Sequence, residues 1–203
     1  MKHKRPPPPR LVQTSYLPEQ IPQLRGPAVL LLGRSNAGKS SLLNVLLKMD
    51  LAKVSKSPGK TRSVNFYRWG DKLTLVDVPG YGFALRSLEE RRSWRELMES
   101  FFEKVPAASL SLLLLDAKRD PESEELALIE ALCERGFPVE LLLTKADRLL
   151  QAERERRRRA MLVWSAEPGR EIPLTWRFVS AKTGEGIDEL SRRLLKYAQA
   201  FPL

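Results

Sequence analysis

Short apolar runs and longer amphipathic stretches take turns along this chain. Residues 28–32 are apolar without a break and stop at Gly33, which fits a buried strand better than a helix. Residues 39–48 carry Leu42, Leu43, Val45, Leu46 and Leu47 at helical spacing. The next stretch, 50–62, is polar, Lys-rich and broken by Pro58-Gly59, and reads as a loop. Residues 64–69 and 73–76 read as strands joined at Gly70-Asp71, a turn short enough to make them antiparallel. After another glycine-containing loop, Trp94, Leu97, Met98, Phe101, Phe102 and Val105 recur at helical intervals and lay one broad apolar face along a helix. Residues 110–115 predict a strand, 121–135 a helix, 139–143 a strand, and 149–164 a helix whose Arg-rich middle weakens the periodicity. Residues 174–179 predict a last strand, and Ile187, Leu190, Leu194, Tyr197 and Ala198 mark a closing helix.

Apart from the early hairpin, strands alternate with helices, so the fold class is α/β. Six predicted strands form a mostly parallel sheet with one antiparallel strand and helices on both faces, a three-layer sandwich. Prolines at 6–9, 18 and 22 make residues 1–26 an extended, basic N-terminal arm. A single domain is expected over 27–203, in keeping with a length of 203 residues. No internal repeat is present.

Composition narrows the chemistry. One cysteine, Cys133, excludes an internal disulfide framework and a Cys-rich zinc site, and suits a reducing compartment. The single histidine, His3, lies in the arm, which excludes a Ser/His/Asp triad and a His-ligated metal. No apolar run approaches the roughly 20 residues that span a bilayer. Four prolines stand where a signal peptide would be apolar, and the last four residues offer no cysteine to prenylate. The expectation is a cytoplasmic protein without a membrane partner.

The net charge of +10 is segmental. Lys2, Lys4, Arg5, Arg10 and Arg25 against Glu19 give the arm +4. Lys48, Lys53, Lys56, Lys60 and Arg62 against Asp50 give residues 48–62 another +4. Arg148, Arg154 and the run from Arg156 to Arg159 against Glu153 and Glu155 give residues 148–159 +4 again, and the remainder is slightly acidic. Three basic segments on a nearly neutral body suit a polyanion such as RNA, and each alone also suits a solvated surface. No RNA-recognition motif accompanies them, and Tyr67, Trp69 and Trp94 are expected in the core.

Four motifs stand at predicted strand ends. Gly33-Arg34-Ser35-Asn36-Ala37-Gly38-Lys39-Ser40 matches G-x-x-x-x-G-K-[ST] between a strand and a helix. Its glycines let backbone N–H groups converge on phosphates at a helix N-terminus, Lys39 can reach the β- and γ-phosphates, and Ser40 can ligate Mg²⁺. In Asp77-Val78-Pro79-Gly80 the carboxylate can hold Mg²⁺ through water, and the Gly80 N–H can meet a γ-phosphate. Thr144-Lys145-Ala146-Asp147 resembles the guanine-reading [NT]-K-x-D motif. There Asp147 can accept from guanine N1–H and the 2-amino group, while the Lys145 stem lies over the ring. Val179-Ser180-Ala181-Lys182 resembles the motif whose backbone N–H meets the guanine O6. Asp-x-x-Gly and the two later tetrapeptides each also fit an ordinary turn; their order and placement together point to a guanine nucleotide.

With Ser41, Pro58-Gly59-Lys60-Thr61 and Tyr81-Gly82 added, these segments closely resemble the EngB (YihA/YsxC) family of bacterial GTPases, over roughly residue 17 to the end. The resemblance implies a P-loop GTPase fold, GTP and GDP as ligands, Mg²⁺ as cofactor and Mg²⁺-dependent hydrolysis of GTP. It further implies a role in assembling the large ribosomal subunit, with the precursor subunit and its rRNA as partners, a monomeric protein, and a need for it in septation, cell division and growth. By this resemblance Thr61 ligates Mg²⁺ and meets the γ-phosphate. Lys39, Thr61 and Gly80 are the expected catalytic residues. Lys60 and Arg62 stand where many members carry Arg and Gln. Tyr81 occupies the position where many small GTPases place a water-orienting glutamine, which implies weak intrinsic turnover. Asn36 matches an asparagine that helps related GTPases hold K⁺. The other readings are a P-loop ATPase, against which Asp147 argues, a GTP-regulated signalling switch, and an RNA chaperone with incidental hydrolysis.

Overall fold

The computed structural model describes residues 7–52, 63–81, 87–106, 109–165 and 175–201. Its strands are β1 (Arg10–Ser15), β2 (Ala28–Gly33), β3 (Val64–Trp69), β4 (Leu73–Asp77), β5 (Leu110–Asp116), β6 (Val139–Thr144) and β7 (Thr175–Phe178). Its helices are α1 (Lys39–Leu47), α2 (Leu88–Lys104), α3 (Ser123–Glu134), α4 (Gln151–Ser165) and α5 (Ile187–Ala200), with single 3₁₀ turns at Pro18–Gln20 and Ala146–Arg148. The strands form one sheet in the order β1-β3-β4-β2-β5-β6-β7. β4, β2, β5, β6 and β7 run parallel, and β3 runs antiparallel to both neighbours.

The unbroken apolar runs follow from burial on both faces. In β2, Ala28, Leu30 and Leu32 join a core with Leu97, Met98 and Phe101 of α2, Ile129 and Leu132 of α3 and Met161 of α4. Val29 and Leu31 face the other way, against Leu42, Leu43, Leu46 and Leu47 of α1 and Ile187, Leu190 and Leu194 of α5. Each such leucine contributes roughly 1.5–3 kcal/mol by leaving water. Tyr67 is buried, and Trp69 and Trp94 pack against the two cores, as expected of them.

One charged residue lies inside these runs. Glu140 of β6 is fully buried, and its carboxylate accepts from Arg177 of β7 and from Arg193 Nη2 of α5 at 3.0 Å. The pairing offsets the cost of taking that charge out of water.

The sheet has a seventh strand that the hydrophobic pattern does not show. Residues 10–15 lack proline and pair antiparallel with β3, with a bulge between Leu11 and Gln13. Leu11 and Val12 are both exposed, so β1 presents no buried face and no readable alternation. The arm then crosses to α2, where Ser100 Oγ and Lys104 Nζ both donate to the Pro18 carbonyl at 3.1 and 3.0 Å.

Parallel register brings the candidate motifs to one end of the sheet. Leu31 pairs with Asp77, Gly33 with Leu114, Asp116 with Thr144, and Leu143 with Phe178. The loops leaving β2, β4, β5, β6 and β7 therefore share the carboxyl edge, where open α/β sheets bind ligands.

Candidate functional site

The loop leaving β2 folds tightly because its glycines allow it. Gly33 has φ 147°, and a Cβ there would stand 2.7 Å from the Leu114 carbonyl oxygen. Gly38, at φ 99°, caps the N-terminus of α1, so the loop's amides and the positive end of the helix face the same space. Asn36, at φ 66°, supplies the third left-handed residue and is exposed. Lys39 is buried, and its Nζ donates to the Gly33 carbonyl at 3.0 Å and the Arg34 carbonyl at 3.4 Å. Burial pulls the pKa of its ammonium down, and the charge of Asp77 opposes that shift.

Asp77 ends β4 directly beside α1. Its Oδ2 lies 3.5 Å from the donating Ser40 hydroxyl. Its Oδ1 is buried and has no hydrogen-bond partner among the described residues. Burial pushes the carboxyl pKa up to about 6, with Lys39 and Ser40 acting in the opposite direction. An orphaned carboxylate oxygen next to a hydroxyl is a hard-oxygen donor set that fits Mg²⁺. After the buried Val78 and Pro79, Gly80 comes so close to the phosphate loop that a Cβ would stand 2.9 Å from Lys39 Nζ and from Ser35 N. Only glycine fits there.

A cleft of about 580 Å³ runs from α1 to the ends of β6 and β7, lined among others by Gly38, Ser41, Thr144, Lys145, Asp147, Val179, Ala181 and Lys182. Its volume suits a small-molecule ligand. Thr144 Oγ1 donates to the Ala37 carbonyl at 2.7 Å and so ties the β6 motif to the phosphate loop. Lys145 takes the left-handed conformation, φ 57°, and the buried Ala146 donates its N–H to the Val179 carbonyl at 3.2 Å. Asp147 Oδ1 accepts from the Ser180 hydroxyl at 2.6 Å, and Ser180 Oγ in turn accepts from Lys182 N and Thr183 N, each at 3.2 Å. The cleft thus has backbone donors and a helix N-terminus at one end and a fixed carboxylate at the other.

The structure brings together Gly33 to Ser41, Asp77 to Gly80, Thr144 to Asp147 and Val179 to Lys182. Gly59, Lys60, Thr61, Lys53 and Lys56 lie outside the described residues. Of the arginine run, Arg157 is turned inward to the Ala117 carbonyl at 2.9 Å and to Asp120, while Arg156, Arg158 and Arg159 are exposed. Arg154 stacks over Phe178 at 4.5 Å and pairs with Glu185. This part of the run therefore builds the fold. The sequence reading missed three groups. Asp116 accepts from Lys145 Nζ at 2.8 Å. Glu122 accepts from Arg34 Nη1 at 2.6 Å, and Glu125 accepts from the Tyr81 hydroxyl at 3.3 Å. Each is a carboxylate at a strand end or helix start, a signal that was present but unspecific.

Comparison with known proteins places this geometry in a family. The 50S ribosome-binding GTPase family matches residues 28–145. The "Probable GTP-binding protein EngB" of Oleidesulfovibrio alaskensis is 40% identical over 198 residues, covering 96% of this chain and 87% of its own. The protein of the same name from Geobacillus kaustophilus is 37% identical over 189 residues, with coverage of 92% and 95%. A crystal structure of an EngB protein superposes with a TM-score of 0.66 at 23% identity, covering 85% of this chain and 98% of its own. Aquifex aeolicus Era bound to GDP·AlF₄⁻ shares the fold at a TM-score of 0.67 and 22% identity, covering 86% of this chain and 57% of its own. With this sheet order, this phosphate loop and these relatives, the chain belongs to the EngB family of GTP-binding proteins and is a GTPase.

Proposed function

We propose that this chain is a guanine-nucleotide switch that assists assembly of the large ribosomal subunit, and that its nucleotide lies in the cleft between α1 and the β6 and β7 loops. The observation that carries the nucleotide placement is the Asp147 carboxylate, held by Ser180 at 2.6 Å in the same cleft as the start of α1. A carboxylate there accepts two hydrogen bonds from guanine and none from adenine. Lys145 covers the base, and the Ala181 N–H faces its O6. At the other end the amides of Arg34 to Ser41 and the Lys39 ammonium take the phosphates.

Ser40, Asp77 (through water) and Thr61 would hold Mg²⁺. When bound, the ion would supply positive charge against the negative charge that develops on the phosphates in the transition state. Lys39 stabilises the same charge from the protein, and the Gly80 N–H fixes the γ-phosphate. Val78 and Pro79 lead the chain from Asp77 to Gly80, and Gly59 and Lys60 are further proposed nucleotide-binding residues. Tyr81 has no amide with which to orient water, so turnover without a partner is slow. Asn36 enters as a K⁺ ligand by residue type and its place in the loop, and equal hydrolysis rates in KCl and NaCl would remove it from that role.

The family match to ribosome-binding GTPases and the segmental basic charge support the ribosomal part. Arg156, Arg158 and Arg159 on the exposed side of α4, with Lys53 and Lys56, are the proposed rRNA contacts. Among the described residues no helix is long and apolar enough to cross a membrane. The proposed setting is a monomer in the cytoplasm, with cell division and growth affected through ribosome supply. Cosedimentation with large-subunit precursors tests this reading: binding is expected with a non-hydrolysable GTP analogue and not with GDP. A Lys39→Ala chain should bind in neither condition. Equal sedimentation in both nucleotide states, or in neither, contradicts it and leaves a signalling switch or a nucleotide-independent RNA chaperone.

A further inference from the structure

Tyr81 stands where a water-orienting glutamine is expected, yet its side chain is turned to α3. Its hydroxyl donates to Glu125 Oε1 at 3.3 Å. Glu125 is only 2% exposed and is held in turn by the Glu122 N–H, which donates to Oε2 at 2.9 Å. The main chain of Tyr81 is fixed in the opposite direction. Its carbonyl accepts from Ser35 N at 3.2 Å, within a parallel bridge between Arg34 and Tyr81. One residue is thereby tied to the phosphate loop by its backbone and to the start of α3 by its side chain.

Gly80, the preceding residue, takes its position from this double attachment. On the face of Gly80 that looks toward Lys39 there is no room for a methyl group: a Cβ would stand 2.9 Å from Lys39 Nζ and 3.1 Å from Ser35 Cα. A phosphoryl group is larger than a methyl group. A γ-phosphate that meets both Lys39 and the Gly80 N–H needs space beside Gly80, and so close an approach of Gly80 to Ser35 and Lys39 leaves little of it. A diphosphate makes no such demand.

We infer that Tyr81 and Glu125 form a latch that sets the discrimination between tri- and diphosphate, holding Gly80 in the space of the γ-phosphate and so favouring GDP over GTP. The inference rests on the nucleotide placement proposed above and adds to it a pair of positioning residues. The latch opens when γ-phosphate contacts outweigh the Ser35–Tyr81 and Tyr81–Glu125 hydrogen bonds, which couples α3 to the nucleotide state.

Titration of the full chain with GDP and with a non-hydrolysable GTP analogue, both with Mg²⁺, tests it. Tyr81→Phe keeps the ring and deletes the hydroxyl. The analogue should bind roughly two- to tenfold more tightly, the range spanned by the net worth of one hydrogen bond, with GDP affinity unchanged. Glu125→Ala removes the acceptor and should move the ratio of the two affinities in the same direction, which also serves if Tyr81→Phe does not fold. The double variant should move the ratio no further than the larger single. An unchanged ratio, a parallel change for both nucleotides, or additive singles overturns the inference. Failure of the unaltered chain to bind guanine nucleotides would instead overturn the placement on which it rests.

Discussion

Lys145 donates its ammonium to Asp116 Oδ2 at 2.8 Å, so the end of β5 fixes the side chain that the β6 motif offers to the base. Asp116 is itself held by the Lys118 N–H, which donates to Oδ1 at 3.1 Å. Burial alone would raise the pKa of this carboxyl. The Lys145 and Lys118 hydrogen bonds outweigh burial and leave it below its ordinary value. Asp116→Ala should free the Lys145 stem and weaken GDP and GTP alike by about tenfold, the scale of one charge-assisted hydrogen bond. The rate at saturating GTP should stay near its original value. Isothermal titration with both nucleotides, followed by steady-state hydrolysis, separates these effects.

Gly33 and Gly38 offer a contrast within one loop. A methyl at Gly33 meets the Leu114 carbonyl at 2.7 Å and Ala37 Cβ at 3.3 Å, whereas nothing lies within 4 Å of a methyl at Gly38. Gly33→Ala should therefore destabilise the fold by roughly 2–5 kcal/mol through overpacking and backbone strain. Gly38→Ala should cost about 1–2 kcal/mol, from its left-handed φ alone. Urea unfolding of both variants without nucleotide checks the order.

Asp77 links the site to pH in two opposite senses. Its carboxyl pKa is about 6 in the fold, against about 4 in an unfolded chain, so the folded state holds this proton more tightly. Its contribution to stability without Mg²⁺ is fully present below about pH 4 and is lost as pH rises through 6. Mg²⁺ needs the deprotonated form, so its affinity should fall as pH drops below 6. Thermal unfolding in EDTA from pH 5 to 8 should show Asp77→Asn with a flatter pH dependence than the unaltered chain. Mg²⁺ titrations of the GDP complex over the same range should show the opposite trend.

Legibility in the sequence followed burial. β2, β5 and β6 announce themselves because both their faces are covered, and the glycines at 33, 38 and 80 because chemistry and backbone geometry coincide there. β1 stays hidden because Leu11 and Val12 are exposed and it owes its place to hydrogen bonds with β3. Asp116, Glu122 and Glu125 could not be read as site groups, since their partners Lys145, Arg34 and Tyr81 are distant in the chain and met only through the sheet register. The arginine run looked uniform in sequence. Helical geometry divides it, turning Arg157 inward and leaving Arg156, Arg158 and Arg159 outside.

The identity of the base rests on one carboxylate, Asp147, at the end of the cleft. Asp147→Asn replaces one acceptor with a donor and should exchange guanine for xanthine, whose 2-oxo group can accept from the new amide. Binding of GDP and XDP to the Asp147→Asn chain is the most direct measurement. The account predicts loss of GDP and gain of XDP, each by a hundredfold or more, on the scale of about 10²–10⁵ for misplaced polar partners. Unchanged GDP affinity with no gain of XDP would contradict it.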